Sequence, residues 1–206
     1  MSATASLDSG EDAHGADDRV ILYNVSWLQY ETMLDWRGDK AVPRYAYLDG
    51  MLEILRPSYD HERVKSILRS IVEAYAAVTG VEFVGVGSWT LRDPELARGL
   101  EPDECYIVGD LDKPRPDLAI EVMWKSGGLD KLEIYRGLAI PEVWVIRKGV
   151  ITVHVLEGDT YTTVPRSQAF PKLDLKLVME LVRERSTGSA IRKMTAWAQE
   201  QLRRGE

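Results

Sequence analysis

Residues 101–135 decide the fold of this chain, and their sequence is EPDECYIVGDLDKPRPDLAIEVMWKSGGLDKLEIY. Two short apolar runs within it, 104–108 and 118–124, predict strands, and the pattern over 129–138 predicts a helix. The second run is apolar almost throughout, which is typical of a strand in the centre of a sheet. We therefore expect two neighbouring strands followed by a short helix.

The segments on either side predict further strands and helices. Asp49-Gly50 separates two strand-like runs, which indicates a hairpin because a tight turn of this kind needs positive φ at both positions. Apolar residues at spacings of three and four predict the longest helix over 60–78, and Gly80 is placed to end it. The other predicted elements are an extended segment over 19–25, a helix over 26–36, strands over 82–86 and 89–92, a loop over 93–100, a hairpin over 143–156 with a further strand over 160–164, and closing helices over 173–185 and 190–203.

The composition and element order predict an α/β fold with a mixed β-sheet flanked by helices. The chain has 206 residues, and 45% of them are hydrophobic, which is enough for one core. Residues 1–18 contain one Leu and no aromatic residue, so we expect a disordered tail there. The rest, 19–206, is expected to be a single domain that ends in helices.

Several classes of protein are disfavoured by the sequence. One cysteine rules out a disulfide framework, and this composition is typical of a reducing cytoplasm, so we expect a cytoplasmic protein. The first residues lack the apolar run of a secretory signal, and no run of 18 apolar residues predicts a membrane span. A net charge of −7 counts against a general nucleic-acid binder. Glycine-rich phosphate loops, zinc-protease motifs and cysteine pairs do not occur in the sequence.

Acidic side chains stand out within the two central runs. Asp117 and Glu121 share one face of the predicted strand, but four residues separate them by about 13 Å, too far to ligate one ion. Glu121 therefore needs a partner from the neighbouring strand, about 5 Å away, and Asp103 is the best placed. A carboxylate in an apolar run needs a cation or a hydrogen-bond network. Two interpretations stay open: a metal site, or a structural ion pair with a buried Arg or Lys.

Two further residues have side chains able to take part in chemistry. His61 lies one turn before the apolar face of the long helix. Two interpretations of its ring stay open. The ring hydrogen-bonds to a neighbouring loop at the start of the helix, or it contacts the acidic site, either by supporting one of the acids or by facing a bound phosphate. Cys105 is expected to be a small buried residue and not a nucleophile.

Two stretches of the chain resemble the Uma-two family of bacterial restriction-endonuclease-like proteins. They are GLEPDECYIV…KPRPDLAIEVMWKSGGLDKLEIYRGLAIPEVWVI and the hairpin and helix YAYLDGMLEILRPSYDHERVKSIL, and the resemblance extends over residues 26–181. The family is similar to the PD-(D/E)XK nuclease superfamily, which implies a restriction-endonuclease-like core with an amino-terminal hairpin. It also implies a homodimeric endonuclease that uses Mg²⁺ or Mn²⁺ to hydrolyse DNA phosphodiesters.

The resemblance assigns roles to residues of this chain. Asp103 and Glu121 match the two acids that bind the metal ion, which would polarise the phosphate. Lys131 is identified with the catalytic lysine, which orients water or stabilises charge in the transition state. Asp117 would act through water or position Lys131.

The chain departs from the superfamily pattern at two places. Met123 stands where the lysine two residues after Glu121 is expected. Lys125 lies on the same face about 7 Å further along, and Lys131 on the next helix is the expected replacement. Ala46 stands where many relatives carry Glu. These departures leave two alternatives open: an inactive nuclease-fold module that binds nucleic acid or protein, and a hydrolase of another phosphate ester.

Overall fold

The computed structural model describes residues 4–7, 17–123 and 128–205. Its strands are β1 (Thr4–Leu7), β2 (Asp18–Tyr23), β3 (Arg44–Leu48), β4 (Met51–Arg56), β5 (Phe83–Gly85), β6 (Leu91–Asp93), β7 (Arg98–Leu100), β8 (Glu104–Val108), β9 (Leu118–Met123), β10 (Glu142–Arg147), β11 (Val150–Glu157) and β12 (Thr160–Val164). Its helices are α1 (Trp27–Arg37), α2 (Tyr59–Thr79), α3 (Lys131–Gly137), α4 (Leu175–Val182) and α5 (Thr187–Arg204).

The strands form two sheets of six. The first sheet has the order β1-β2-β4-β3-β7-β6 and the second has the order β12-β11-β10-β9-β8-β5. β9 and β10 pair in parallel, with α3 as the connection between them, and the other pairs in the second sheet are antiparallel. The second sheet is therefore mixed, as the predicted fold class requires.

Helices cover one face of the second sheet. α2, α4 and α5 pack there over an apolar core that includes Ile71, Leu118, Ile120 and Trp144. The alternation of side chains along β9 places Ala119 and Glu121 on the opposite face. That opposite face is the one on which a site can be built.

The first sheet and α3 close over the other face of the second sheet. Ala46 and Leu48 from β3 share a core with Ala119 of β9 and Ile134 of α3. The outer face of the first sheet is covered by α1, through a cluster that includes Tyr30, Tyr47 and Leu52. The space between the two sheets therefore contains α3 and the polar groups described below.

The local signals for turns and helix ends are confirmed. Asp49 and Gly50 have φ values of 45° and 88°, as a two-residue hairpin turn needs. α2 ends at Gly80, which has a left-handed φ of 74° and donates its N–H to the carbonyl of Ala76. Ser26 forms a capping box with Gln29 at the start of α1.

Two predictions about the fold need correction. The pairing of strands in the first sheet beyond its hairpin was not predicted, because β3 pairs with β7 across about 50 residues of chain, which leaves no local pattern. The predicted loop over 93–100 contains β7, which pairs with both β3 and β6. Pairing with two partners holds this short segment in an extended conformation.

Parts of the predicted tail over residues 1–18 have defined structure. β1 pairs with β2, and β2 begins at Asp18. Asp17 accepts a hydrogen bond of 2.8 Å from the backbone N–H of Ser58. The folded domain therefore begins no later than Asp17, while residues 1–3 and 8–16 lie outside the described residues.

No helix in the described part of the chain is both long enough and apolar enough to cross a membrane.

Candidate active site

Asp103 and Glu121 lie opposite each other at the end of the β8–β9 ladder. The register pairs Glu104 with Ile120, and one further step places Asp103 across from Glu121. The backbone N–H of Val122 donates a hydrogen bond of 2.7 Å to Oδ2 of Asp103, which fixes this carboxylate against β9. The two acidic residues are only 2% and 1% exposed. The structure therefore brings together the two acids that were predicted to meet.

α3 brings two donors to the carboxylate of Glu121. Lys131 is the first residue of this helix, and its Nζ donates a hydrogen bond of 2.7 Å to Oε2 of Glu121. One turn later the hydroxyl of Tyr135 donates a hydrogen bond of 2.5 Å to Oε1. The helix is oriented by Asp130, whose side chain caps its first turn. Lys131 therefore reaches Glu121 from the helix on which it was predicted to lie, and Tyr135 adds a contact that the sequence analysis did not predict.

Asp103 is held from the other side by residues of β3 and α2. Arg44 donates to its Oδ1, and Nε2 of His61 lies 2.8 Å from the same oxygen. Nδ1 of His61 lies 2.9 Å from Oδ2 of Asp17. His61 thus contacts Asp103 with one ring nitrogen and Asp17, just before β2, with the other. The first contact matches the predicted role at the acidic site, and the second matches the predicted bond to a neighbouring loop.

Glu53 is a third buried acid that the sequence analysis did not single out. It lies on β4 directly opposite Ala46, and its Oε2 accepts a hydrogen bond of 3.1 Å from the backbone N–H of Leu129. Its charge also acts on Lys131. The signal was present, since Glu53 is an acid within the apolar run MLEIL, as Glu121 is within LAIEVM. The neighbouring strand thus carries an acid directly opposite Ala46, the position at which the resemblance led us to expect Glu.

The charges in the site shift the pKa values of its groups. Burial raises the pKa of Glu121, and the negative charge of Asp103 adds to this, while Lys131 opposes it. Burial also disfavours ionisation of Asp103, but His61 and Arg44 outweigh this effect and hold its pKa below the usual value. The two facing carboxylates therefore have different affinities for a proton.

The basic groups of the site remain charged. Burial opposes the charge on Lys131, but Glu121, Glu53 and Asp103 together raise its pKa. Burial likewise opposes the charge on His61, but hydrogen bonds to Asp103 and Asp17 raise its pKa to about 9. Both side chains are consequently cations at neutral pH.

The oxygens of Asp103 and Glu121 suit a divalent cation such as Mg²⁺, which prefers carboxylate ligands. A carboxylate offers about four lone-pair positions. The described residues occupy three of these positions at Asp103 and two at Glu121, so both acids keep positions for an ion. Among the described residues, no group of three His, Cys, Asp or Glu side chains is arranged to hold a metal ion.

Asp117 does not join this cluster. Its carboxylate accepts hydrogen bonds of 2.8 and 2.9 Å from Nζ of Lys113, and a further one of 2.8 Å from the backbone N–H of Val108. It lies just before β9, about 13 Å along the strand direction from Glu121. The prediction that it positions Lys131 is corrected, because Asp117 closes the turn between β8 and β9 instead.

The expectation that Cys105 is a buried residue and not a nucleophile is confirmed. Cys105 is buried, its thiol contacts the carbonyl of Gly87, and burial raises the pKa of this thiol to about 12, so it is not a nucleophile at neutral pH. Lys125 and Trp124 lie outside the described residues.

A cavity of about 240 Å³ reaches the site from beside α3. Glu121 and Lys131 line it together with apolar side chains of β9, β10 and the α3 start. Arg147 and His154 also line it. This cavity gives a small group a route to the Glu121 carboxylate.

Comparison with known proteins identifies relatives of this chain. Residues 27–200 match the Uma2 family, whose description is "Putative restriction endonuclease". A solved structure from Anabaena variabilis, described as a putative nuclease belonging to DUF820, is 14% identical, with a TM-score of 0.49 over 80% of this chain and 96% of that chain. No curated protein sequence matches the chain. Because the family match extends over most of the chain, including every strand and helix of the site, this protein belongs to the Uma2 family.

Proposed function

We propose that this protein is an endonuclease that depends on a divalent cation and hydrolyses the phosphodiester bonds of DNA. The observation that carries the proposal is the facing pair of buried carboxylates, Asp103 and Glu121, with the ammonium of Lys131 beside them. Two acids and a lysine at one point suit attack on a phosphodiester, whose reaction builds up negative charge. Membership of a family described by restriction-endonuclease activity supports the same conclusion.

Asp103 and Glu121 are the residues that would hold the ion. When bound, Mg²⁺ or Mn²⁺ supplies Lewis-acid activation of the phosphate and of water. Arg44 and His61 keep Asp103 ionised and fix its orientation. Tyr135 fixes the second oxygen of Glu121. The acids are thereby held in one geometry before substrate arrives.

Lys131 acts as a cation and a hydrogen-bond donor. Its ammonium has three N–H groups, and the described contacts use one of them, on Glu121. Since its pKa is raised, it does not accept a proton at neutral pH. The remaining N–H groups are suited to a phosphate oxygen or to the attacking water.

Nicking of supercoiled plasmid DNA with Mg²⁺ or Mn²⁺ tests the proposal. We expect the wild type to nick the plasmid and Asp103→Asn, Glu121→Gln and Lys131→Met to lose about 10²-fold or more of the rate. Glu157→Gln changes an exposed acid at the end of β11 and should leave the rate unchanged. A wild type without nuclease activity, or an Asp103→Asn variant with full activity, would refute the proposal.

Metal binding needs its own measurement, because breaking a buried ion pair costs about 3–5 kcal/mol and can lower activity by unfolding the protein. We expect Mn²⁺ to raise the melting temperature of the wild type and to have little effect on the Glu121→Gln variant. Circular dichroism of each variant shows whether the fold is retained. A metal response that survives in both acid variants would place the ion elsewhere.

An inactive nuclease-fold module that binds nucleic acid or protein is the second candidate. One observation favours it: Arg44, His61 and Lys131 already balance the charges of Asp103 and Glu121. Such a module would show no metal-dependent rise in melting temperature and no cleavage, while still binding its partner. The two measurements above therefore separate the candidates.

A homodimer is part of the proposal. Cutting both strands of a duplex requires two sites, and a symmetric pair of chains supplies them. Light scattering on the purified protein should give the mass of two chains. A mass of one chain, with and without DNA, would limit the activity to single-strand nicks.

A further inference from the structure

Arg147 lines the same cavity as Glu121 and Lys131. The parallel pairing of β9 and β10 places Val145 beside Glu121 and Arg147 beside Met123. Side chains two residues apart on a strand share a face, so Arg147 points to the same side of the sheet as Glu121. It lies about 7 Å further along the strand direction. Arg147 therefore lies beside the place where a phosphate would react at Glu121 and Lys131, and it is too far along the strand to act on that phosphate itself.

The guanidinium of Arg147 is exposed and has no hydrogen-bond or ion-pair partner among the residues that the structure describes. Other basic groups of the site differ from it in this respect: Arg44 is bound to Asp103 and Glu62, and Lys131 to Glu121. A guanidinium without a carboxylate partner is suited to a phosphate, which it binds through two parallel N–H donors.

The rest of the cavity suits the backbone of a nucleic-acid strand next to this cation. Its walls also include the apolar side chains of Met123, Leu129 and Val145, which lie beside the path of a bound strand. His154 also lines it, and burial lowers the pKa of this ring, so the ring is neutral at pH 7 and adds a hydrogen-bonding group without a second charge.

We propose that Arg147 binds a phosphate of the DNA strand adjacent to the phosphate that reacts at Glu121 and Lys131; this inference rests on the proposed nuclease function. Arg147 then sets the register of the strand in the site. The ligand of Arg147 is a backbone phosphodiester and not a base. A strand that places one phosphate beside Glu121 places the next phosphate beside Arg147. The contact carries no sequence information of its own.

The salt dependence of DNA binding tests this assignment. The full-length protein is titrated into a fluorescent duplex oligonucleotide in Ca²⁺ at one fixed concentration, with KCl varied. Each phosphate contact adds about 0.9 to the slope of log affinity against log salt for a duplex. We expect Arg147→Gln to lower the slope by about 0.9 and to weaken binding of all sequences alike. Arg147→Lys should keep the slope, with weaker binding because an ammonium cannot donate in parallel.

Arg203→Gln is the control, since Arg203 is an exposed arginine on α5 that pairs with Glu200 and does not line the cavity. It should leave the slope unchanged. An Arg147→Gln slope equal to that of the wild type, or a wild type that does not bind the duplex, would overturn the assignment. A wild type that binds DNA with the Arg147-dependent slope but never cuts it would overturn the nuclease proposal and support the phosphate site.

Discussion

The hydroxyl of Tyr135 donates a hydrogen bond of 2.5 Å to Oε1 of Glu121, in the interior of the protein. The pKa of Tyr135 lies well above its ordinary value because burial and the charge of Glu121 both oppose loss of its proton. Tyr135 therefore keeps its proton and stays a donor at neutral pH. Glu121 depends on this donor, since a buried carboxylate oxygen without a partner is costly.

Tyr135→Phe removes this hydroxyl and leaves the ring. We expect the free energy of unfolding to fall by about 1.5–3 kcal/mol, the range for a hydrogen bond to a charged group. The midpoint of urea denaturation measures the change, provided that the slope of the transition is unaltered. Tyr59→Phe, at a tyrosine that is 81% exposed, should cost nothing measurable. Equal effects of the two substitutions would mean that the bond to Glu121 adds no stability.

His61 makes stability depend on pH. Its pKa is raised from 6.5 to about 9 in the folded protein, chiefly by hydrogen bonds to Asp103 and Asp17 that outweigh burial. The folded state therefore holds this proton more tightly than the unfolded state does. The stabilisation is complete below pH 6.5 and is lost as the pH rises to about 9. Its size is about 3.5 kcal/mol at most, from about 1.4 kcal/mol for each unit of pKa.

The measurement is a series of urea denaturation midpoints between pH 6 and pH 9.5. We expect the midpoint of the wild type to fall across this range and that of His61→Gln to be flatter and lower at pH 6. His154→Gln should keep the fall of the wild type, because the pKa of His154 is lowered and its titration lies at more acidic pH. A fall of the same size in His61→Gln would assign the pH dependence to another group.

Strand periodicity was sufficient to predict the pair at the centre of the site. Asp103 and Glu121 come from neighbouring strands joined by one turn, so alternation and strand spacing alone place them together. Lys131 follows in the next helix. Asp103, Glu121 and Lys131 lie within 29 residues of chain. Over that distance, strand alternation and helix periodicity are enough to predict which side chains meet. Tyr135 lies one helical turn after Lys131, so the same argument from helix periodicity would have placed it beside Glu121.

The rest of the site could not be predicted in this way. Arg44 and His61 come from β3 and α2, and they reach Asp103 only because the first sheet and α2 pack around the end of β8. That packing depends on pairings between distant segments, such as β3 with β7, which leave no periodic signal. Asp117 shows the converse error: it was predicted to share a strand with Glu121, but it lies just before β9, where its own turn supplies Lys113 as a partner.

Glu53 offers a test that separates charge from hydrogen bonding. Its carboxylate accepts from the N–H of Leu129, just before α3, and its charge acts on Lys131. Glu53→Gln keeps an acceptor but removes the charge that acts on Lys131 and pairs with Arg19 at 3.5 Å, so we expect stability to fall and nicking to fall by about ten-fold or more as Lys131 loses electrostatic support. Glu53→Ala also leaves a buried N–H unpaired, and should lower stability by about 1–3 kcal/mol relative to Glu53→Gln.

Urea denaturation and plasmid nicking, done on both variants, check these expectations. Glu95→Gln provides the control, because Glu95 is exposed in the turn between β6 and β7. Full nicking activity in Glu53→Gln would show that the third acid serves structure alone.

Gly128 lies where the chain enters α3, and its backbone approaches Glu53 closely. Its φ is 116°, and a Cβ added there would overlap Oε2 of Glu53 and come within 3.1 Å of a guanidinium nitrogen of Arg19. Gly128→Ala therefore combines backbone strain with a steric clash, and it pushes on the acid that supports Lys131.

We expect Gly128→Ala to lower the free energy of unfolding by about 1–3 kcal/mol more than Gly158→Ala does. The φ of Gly158, 62°, is also positive, but its added Cβ meets nothing within 4 Å. Urea denaturation of both variants measures the clash together with the greater strain at Gly128, since a φ of 62° lies in the left-handed region that L residues can adopt and a φ of 116° lies outside it. Nicking by Gly128→Ala should fall as well, because the start of α3 cannot move away from Glu53 without moving Lys131. Equal stability of the two variants, with full activity, would mean that the α3 start is free to shift and that contact with Glu53 does not position the lysine.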